Sequence, residues 1–219
     1  MRFVLERVSE PDIEPITAAE FVRNVGEFDV AATTRADDIT RLITAAREWA
    51  EHDTGRALID QSWRLTITDG VGALYDPVQK PPPVGYYTGQ TGPRVGEILL
   101  MRSPVLSITS FVTVDAAGDE TAIDPTTYEL REQDSKWPRL VGLDGTTWGT
   151  GTFRIVFRAG YANRAASPVE DATSVPDRFK QAILLHAEAH YDRDEKMMQR
   201  LLDAAEALIS PERCHFGLG

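Results

Sequence analysis

The stretch "FRIVFRAGYANRAASPVEDATSVPDRFKQAILLHAEAHYDRDE", residues 153–195, decides the fold because it joins two kinds of pattern. Its first residues are rich in β-branched and aromatic side chains, which predicts a strand. A polar loop follows, and Pro176 then suits the first position of a helix, because the missing N–H of proline has no partner to lose there. That helix carries His186 and His190 one turn apart. The sequence therefore predicts a passage from a β-rich region into a C-terminal helix.

Helical patterns lie on both sides of the β-rich region. A capping box predicts the start of a short helix from about residue 17 to 26. Between about 36 and 54, apolar residues recur on one face, which predicts an amphipathic helix. The last helical pattern runs from about 177 to 209, and the charged stretch 192–196 indicates a kink or a break within it.

The region from about 61 to 160 contains about six short segments with strand composition, separated by Gly, Pro and Asp. In order, these predicted strands are "SWRLTIT", "GEILLM", "VLSITSFVTVD", "TYELRE", "PRLV" and "TFRIVFRAG". Two long connections interrupt them, at 69–95 and 142–151. Loops of this length in a compact domain are more often functional than accidental, so we expect a role for them.

The composition narrows the class of protein. A chain of 219 residues suits one domain with a proper core, and it has no run of about 18 apolar residues that would span a membrane. The first residues lack a signal peptide pattern, so we expect the protein in a cytoplasm. The single cysteine, Cys214, excludes an internal disulfide and a zinc site made of several cysteines.

The net charge argues against a protein that binds nucleic acid tightly. The chain has 34 acidic and 23 basic residues, which gives a charge of −11. Proteins that hold phosphates usually have the opposite sign or a basic stripe. In the linear sequence the basic residues are scattered singly, so we expect no specific binding of nucleic acid.

The histidine pair has two interpretations. His186, His190 and Asp194 follow one another on a single helix face, so a metal site of two nitrogens and a carboxylate is conceivable. The same face also carries apolar residues, which is typical of a packing stripe. Glu188 projects about 160° away from the pair, so it is badly placed to act as a base. We therefore interpret the histidines as core or interface residues, and expect no catalytic residue, metal or cofactor.

Other catalytic patterns are weaker. The glycine-rich stretch 142–151, "GLDGTTWGTG", has no lysine followed by serine or threonine, so a phosphate loop is unsupported. Ser107 and Ser110 lie in a predicted strand without a nucleophile elbow around them. Trp137 and Trp148 lie in turn-like contexts, where they either pack at a corner or anchor a partner.

The order of the elements resembles a known family. Over nearly its whole length, the chain is similar to the head-to-tail connector proteins, also called adaptor or head-completion proteins, of long-tailed phages and of gene transfer agents. The segments that carry the resemblance are "PITAAEFVRNV", "DDITRLITAAREWAEHDTGRALIDQSWRL", "RSPVLSITSFVTVDAAGDE", "YEL", "TFRIVFRAGYA" and "VPDRFKQAILLHAEAHYDRDE". The chain departs from the family in a longer, proline-rich loop at 69–95 and in the tail after Ile209.

The resemblance implies a subunit with one α+β domain, residues 1–209, and a C-terminal tail at 210–219. In that domain the N- and C-terminal helices pack together, and a β-rich insertion lies between them in the sequence. It implies a structural protein without chemistry, located in the neck of a virion and assembled in the cytoplasm of a bacterial host. Copies form a ring, commonly of twelve, beneath the portal protein, and the ring extends the DNA channel. A stopper or tail-completion protein docks on its other side, and no membrane is involved.

The charge agrees with a channel. About twelve copies at −11 place on the order of −130 charges around the pore, which repels DNA from the wall. The alternative is that the charge only aids solubility.

Two segments are candidate contacts. Proline and glycine in the loop 69–95 favour an extended arm, and we expect it to contact a neighbouring subunit or the tail-side partner. Its candidate residues are Pro81, Pro82, Pro83, Tyr86 and Tyr87. The end of the chain, "SPERCHFGLG", is expected to be a free tail from Pro211 that orders on the portal. Its candidate portal contacts are Pro211, Arg213, Phe216 and Leu218.

Two other classes remain open. One is a different structural phage protein, such as a tail-completion or stopper subunit. The other is a metal-dependent hydrolase that uses His186, His190 and Asp194.

Overall fold

The computed structural model describes residues 2–26, 36–68, 97–144, 146, 148, 151–162, 172–191 and 195–214. The chain divides into two compact units. The first, which we call the sheet unit, contains Met1–Glu10 and Gln61–Ala159, and the second, the helical unit, contains Pro11–Asp60 and Gly160–Cys214. The long stretch of the sheet unit is thus an insertion between the two stretches that form the helical unit.

The helical unit begins with α1, Ala18–Asn24, and α2, Ala36–Thr54. The predicted capping box opens α1: the backbone N–H of Glu20 donates to Oγ1 of Thr17 at 3.2 Å, and the backbone N–H of Thr17 donates to Oε2 of Glu20 at 2.7 Å. The hydrogen bonds from Thr17 lower the pKa of the Glu20 carboxyl. The amphipathic helix α2 has the predicted bounds, and its apolar stripe is buried at Ile39, Ile43, Ala46 and Ala50.

The C-terminal helical pattern forms two helices. These are α3, Asp177–Tyr191, and α4, Glu195–Ile209, and residues 192–194 between them lie outside the described residues. Because α3 ends at Tyr191 and α4 begins at Glu195, the two helices are separate elements on either side of the point where the sequence predicts a kink or a break. Phe179, Ala182 and Ile183 of α3, together with Ala205 and Ile209 of α4, complete the apolar core that α1 and α2 begin. None of the helices in the described ranges is long and apolar enough to span a membrane.

A buried ion network fixes α2 to the chain on either side of it. Nε of Arg47 donates to Glu14 at 2.8 Å and Nη1 donates to Glu51 at 2.9 Å. Glu51 also accepts the backbone N–H of Leu58 at 2.8 Å. Burial alone lowers the pKa of Arg47, but Glu51 and Glu14 outweigh that effect and raise it. The network therefore keeps a fully buried guanidinium charged and bonded.

The described residues of the sheet unit form eight strands: β1 (Arg2–Arg7), β2 (Gln61–Thr68), β3 (Glu97–Leu99), β4 (Val105–Val114), β5 (Glu120–Ala122), β6 (Tyr128–Arg131), β7 (Arg139–Gly142) and β8 (Thr152–Ala159). Six of them are the predicted strands. The strands β1 and β5 are additions that the sequence analysis does not predict. All pairs are antiparallel, in a five-stranded sheet of order β1-β2-β8-β4-β5 and a three-stranded sheet of order β3-β7-β6.

Alternating burial along β2 and β8 defines one apolar face of the larger sheet. Trp63, Leu65 and Ile67 of β2 and Phe153, Ile155 and Phe157 of β8 are buried, and their neighbours along each strand are only partly buried. Phe111 of β4 connects this face to the smaller sheet, because its ring lies 5.3 Å from that of Tyr128 in β6. The indole of Trp148, in the predicted glycine-rich connection, packs 5.2 Å from Phe111. The corner-packing interpretation is thus confirmed for Trp148, whereas Trp137 is 36% exposed.

The chain re-enters the helical unit through a tight approach at Gly160. Its φ of +146° is one that L side chains rarely adopt, and a Cβ there would lie 2.4 Å from the carbonyl oxygen of Ile59. The next residue, Tyr161, donates its backbone N–H to the carbonyl of Leu58 at 3.2 Å. Glycine is therefore required where the two stretches of the helical unit meet. The α+β class is confirmed, with N- and C-terminal helices and antiparallel sheets between them in sequence.

We expect Arg47→Ala to destabilise the helical unit by about 3–5 kcal/mol, because it leaves the buried carboxylate of Glu51 without its cation. Urea unfolding followed by circular dichroism measures the change. Arg41→Ala is the matched control on the same helix, since the Arg41 side chain is 78% exposed and its ion pair is worth at most about 1 kcal/mol. Equal losses in the two variants would contradict a structural role for the buried network.

Candidate functional site

The histidine pair lies on the face of α3 that meets α2. The His186 ring stacks on the indole of Trp49, with ring centroids 4.3 Å apart and an angle of 21° between the planes. The His190 ring lies 4.8 Å from that of His186, and His190 is exposed. Nδ1 of His186 is buried and has no hydrogen-bond partner among the described residues. His186 therefore acts as a flat packing surface for the tryptophan.

The electrostatics of the pair agree with a packing role. Burial, and to a lesser extent the neighbouring His190, lower the pKa of His186 to about 4. The imidazole is thus neutral near neutral pH. In the part of the chain that the structure describes, no group of three or more His, Cys, Asp or Glu side chains is placed to hold a metal ion. Asp194, the third member of the conceivable metal site, lies outside the described residues.

The C-terminal segment after α4 is bonded to the end of α2. A short 3-10 helix, Ser210–Glu212, follows α4. The guanidinium of Arg213 then donates two hydrogen bonds of 2.9 Å to the carboxylate of Asp53 and one of 2.7 Å to Glu206. These hydrogen bonds raise the pKa of Arg213. The bidentate geometry is the strong form of an arginine–carboxylate pair.

A second ion pair holds the same segment from the other side. Glu212 accepts from Arg56 at 3.0 Å and also pairs with Arg178 of α3. The same Arg56 donates to the hydroxyl of Tyr161 at 3.2 Å. Four parts of the helical unit therefore meet at Glu212: the chain after α2, the chain after β8, α3 and the 3-10 helix.

Cys214 completes the attachment. It is 8% exposed, and its backbone N–H donates to the carbonyl of Thr54, the last residue of α2, at 2.7 Å. That carbonyl is one of those left without a partner inside the helix, so the bond also caps α2. The expectation of a free tail from Pro211 is therefore wrong for residues 211–214. The tail can begin only at residue 215, and 215–219 lie outside the described residues.

Of the candidate contact residues, the structure describes only Pro211 and Arg213. Pro211 is exposed on the 3-10 helix, and Arg213 is bonded within the subunit while its side chain remains 28% exposed. The other candidates lie outside the described residues: Phe216, Leu218, Pro81, Pro82, Pro83, Tyr86 and Tyr87.

Local sequence patterns do not identify the residues that bind the C-terminal segment. Asp53 is 160 positions from Arg213, and Arg56 is 156 positions from Glu212. No local spacing connects charges so far apart. The available signal is the charge order "HDTGR", residues 52–56, which places an acid and a base at the C-terminal end of α2.

We expect the stability of the helical unit to fall as the pH is lowered from about 6.5 to about 4. The pKa of His186 is lowered in the folded protein, so the unfolded chain binds the proton more readily across this window. Thermal unfolding at a series of pH values measures the slope. His186→Phe keeps the stack on Trp49 and should reduce the slope. An unchanged slope in His186→Phe would contradict the assignment.

Removal of residues 211–219 should destabilise the helical unit, because it eliminates the Arg213–Asp53 and Glu212–Arg56 pairs and uncaps α2. Removal of residues 215–219 alone keeps all of these bonds, and we expect it to change the melting temperature little. Differential scanning calorimetry on the two truncated proteins separates the cases. Equal melting temperatures would show that the bonds of Glu212, Arg213 and Cys214 contribute no stability.

Comparison with known proteins gives similarity in fold but not in sequence. No model of a known protein family matches the chain. No curated protein matches it in sequence.

Three solved structures contain chains with a similar fold. In the neck of an empty gene transfer agent (GTA) particle computed with C6 symmetry, a chain 22% identical matches with a TM-score of 0.70, over 96% of this chain and 95% of that one. In the virion of a native GTA particle, a chain 21% identical matches with a TM-score of 0.68, over 96% and 95%. In the neck of a native GTA particle computed with C12 symmetry, a chain 24% identical matches with a TM-score of 0.64, over 96% and 94%. The protein therefore has, over nearly its full length, the fold of chains found in GTA particles and their necks.

Proposed function

We propose that the protein is a structural subunit of the neck of a phage or phage-like particle, such as a gene transfer agent, and not an enzyme. The observation that carries this proposal is the fold similarity to a chain in a GTA neck over 96% of this chain, at a TM-score of 0.70. A match of that extent includes both units, so the whole chain and not one common motif supports the assignment. The packing of His186 against Trp49 supports this proposal over a hydrolase that uses the histidine pair.

The specific role proposed is that of the adaptor, which forms a ring beneath the portal protein, extends the DNA channel and docks the stopper or tail-completion protein. The order of the sequence segments that resemble the adaptor family supports the adaptor over other neck components. The similar chains come from particle structures computed with C6 and C12 symmetry, which favours a closed ring. We propose a ring of twelve copies.

The charge of the chain suits the wall of a DNA channel. At −11 per copy, about twelve copies carry on the order of −130 charges, and their field repels a polyanion that passes through the ring. The channel thus lets DNA pass without specific binding.

The proposed portal contact is the end of the chain. The bonds of Arg213 and Cys214 fix the position of the last described residues against α2, and Pro211 is exposed. Phe216 and Leu218 supply the apolar anchors. Many such weak anchors around a ring bind the portal together, and their combined avidity exceeds the affinity of one anchor. Arg213 already binds two carboxylates, so we assign it to positioning the segment and to a portal carboxylate only through its exposed part.

A second contact is proposed for the loop that contains Pro81, Pro82, Pro83, Tyr86 and Tyr87. Its composition favours an extended arm that touches a neighbouring subunit or the tail-side partner.

Binding to purified portal protein tests the proposal. We expect the full chain to co-sediment with portal rings, and the variant that lacks 215–219 to lose this binding while it keeps its melting temperature. If the truncated variant binds as the full chain does, the tail is not the anchor. If the full chain binds a tail component and not the portal, the protein is a stopper or tail-completion subunit instead.

A further inference from the structure

The helix α4 has more apolar surface than its own subunit buries. Of its residues, only Ala205 and Ile209 are buried. Four further apolar residues fall within about 60° of one another on the helix and lie beside the buried ones. We call these four residues the α4 stripe: Met197, Leu201, Ala204 and Leu208. The methionine is 46% exposed, the alanine is exposed, and the two leucines are partly exposed.

The α4 stripe is wider than packing within the subunit requires. A surface helix needs an apolar arc of about 100° to pack on its own core, and with the stripe the apolar arc of α4 reaches about 160°. The four residues follow one another at intervals of four, three and four positions. Helices that interdigitate with a second helix have this spacing. The α4 stripe is therefore arranged to receive another helix.

The same chain carries a second stripe of this kind on α2. Leu42, Ala45 and Trp49 follow at intervals of three and four positions, and we call them the α2 stripe. Ala45 is exposed, and Leu42 and Trp49 are partly exposed. One face of the Trp49 indole stacks on His186 of the same subunit, so its orientation is fixed. Every copy thus has two apolar helix surfaces of similar length.

The two stripes are complementary in size when the helices run antiparallel. Each stripe has a small, exposed alanine near its middle, with larger side chains on both sides. Alanines that face each other let two helix axes approach to about 8 Å, and the larger side chains then interdigitate above and below them. The pairs that meet are Ala45 with Ala204, Trp49 with Leu201, and Leu42 with Leu208.

Charges beside the stripes favour the same arrangement. Glu48 lies beside the α2 stripe, and Arg200 lies on the corresponding side of the α4 stripe. Both residues are exposed, and the Glu48 side chain remains 49% exposed although it lies 3.9 Å from Arg47 of its own helix. With the two alanines opposite each other, an antiparallel contact brings this carboxylate and this guanidinium to the same level of the helix pair. Opposite charges at the rim of a contact fix its register and orientation.

We propose that the α4 stripe of one copy docks on the α2 stripe of a second copy of this chain. The contact joins two different surfaces, so it is heterologous, and each copy binds one neighbour through α2 and another through α4. Contacts of this kind close into a ring when the rotation between neighbours allows it. The inference rests on the proposed function in that it supplies the contact between neighbours in the neck.

Disulfide trapping between two full-length variants tests the contact. One variant carries Ala45→Cys, and the other carries Ala204→Cys together with a tag that changes its size. A disulfide forms only where the two Cα atoms come within about 7 Å, and oxidation traps even a short-lived contact. We expect a mixed dimer from the two variants together, in a yield about tenfold above the dimer from either variant alone.

Three controls accompany the mixture. The wild type gives the background from Cys214, which is 8% exposed. Gln199→Cys replaces Ala204→Cys in the matched control, because Gln199 is exposed on the other side of α4, and we expect only background there. Adding Arg200→Glu to the Ala204→Cys variant should reduce the yield about threefold, because it sets two carboxylates against each other. Arg23→Glu, at an exposed position of α1, changes the net charge equally and should leave the yield unchanged.

Three results would overturn the proposal. They are a mixed dimer no more abundant than background, an equal yield with Gln199→Cys, and efficient dimers from Ala204→Cys alone, which would show that the α4 stripe pairs with itself. Circular dichroism establishes that each variant is folded. Portal binding of the same proteins is scored separately. A chain that binds the portal without the mixed dimer refutes only this contact, whereas a mixed dimer without binding to portal or tail components refutes only the neck assignment.

Discussion

The antiparallel pairing of β2 with β8 is the constraint on which the rest of the structure depends. The chain leaves the helical unit after Asp60 and returns at Gly160, and Gln61 lies opposite Ala159 in register. This pairing brings the two ends of a long insertion together. The helices before the insertion can therefore pack against the helices after it. Within the helical unit the bond from Tyr161 to Leu58 and the close approach of Gly160 to Ile59 complete the junction. The N-terminal and C-terminal helices therefore share one apolar core.

Ion pairs then fix the position of the chain segments that pack against α2. Arg47 joins the segment before α2 to the segment after it through Glu14 and Glu51. At the far end of α2, Arg213 and Glu212 attach the last described residues to Asp53 and Arg56. Arginine forks impose direction as well as attraction, so these pairs fix the last described residues against α2. The proposed terminal anchor benefits from this, because a fixed attachment point limits the volume that an anchor explores.

The sequence predicts best where periodicity is strong and local. The bounds of α2 and the capping box of α1 follow from spacing alone, and the break between α3 and α4 follows from a run of charges. The strands β1 and β5 are not predicted, because they are edge strands whose existence depends on pairing with β2 and β4. The Arg213–Asp53 pair is not accessible from the sequence, since it joins residues that only the topology brings together. Residues that act through long-range pairing are the ones that local patterns do not reveal.

A cryo-EM map of the intact particle, computed without imposed symmetry in the neck, tests the central claim most directly. The account predicts that this chain occupies a closed ring of twelve copies directly beneath the portal, with the C-terminal segment after Cys214 directed at portal protein. A map in which the chain lies one layer lower, against a tail component only, or in which no density of the neck accommodates its fold, would contradict the account.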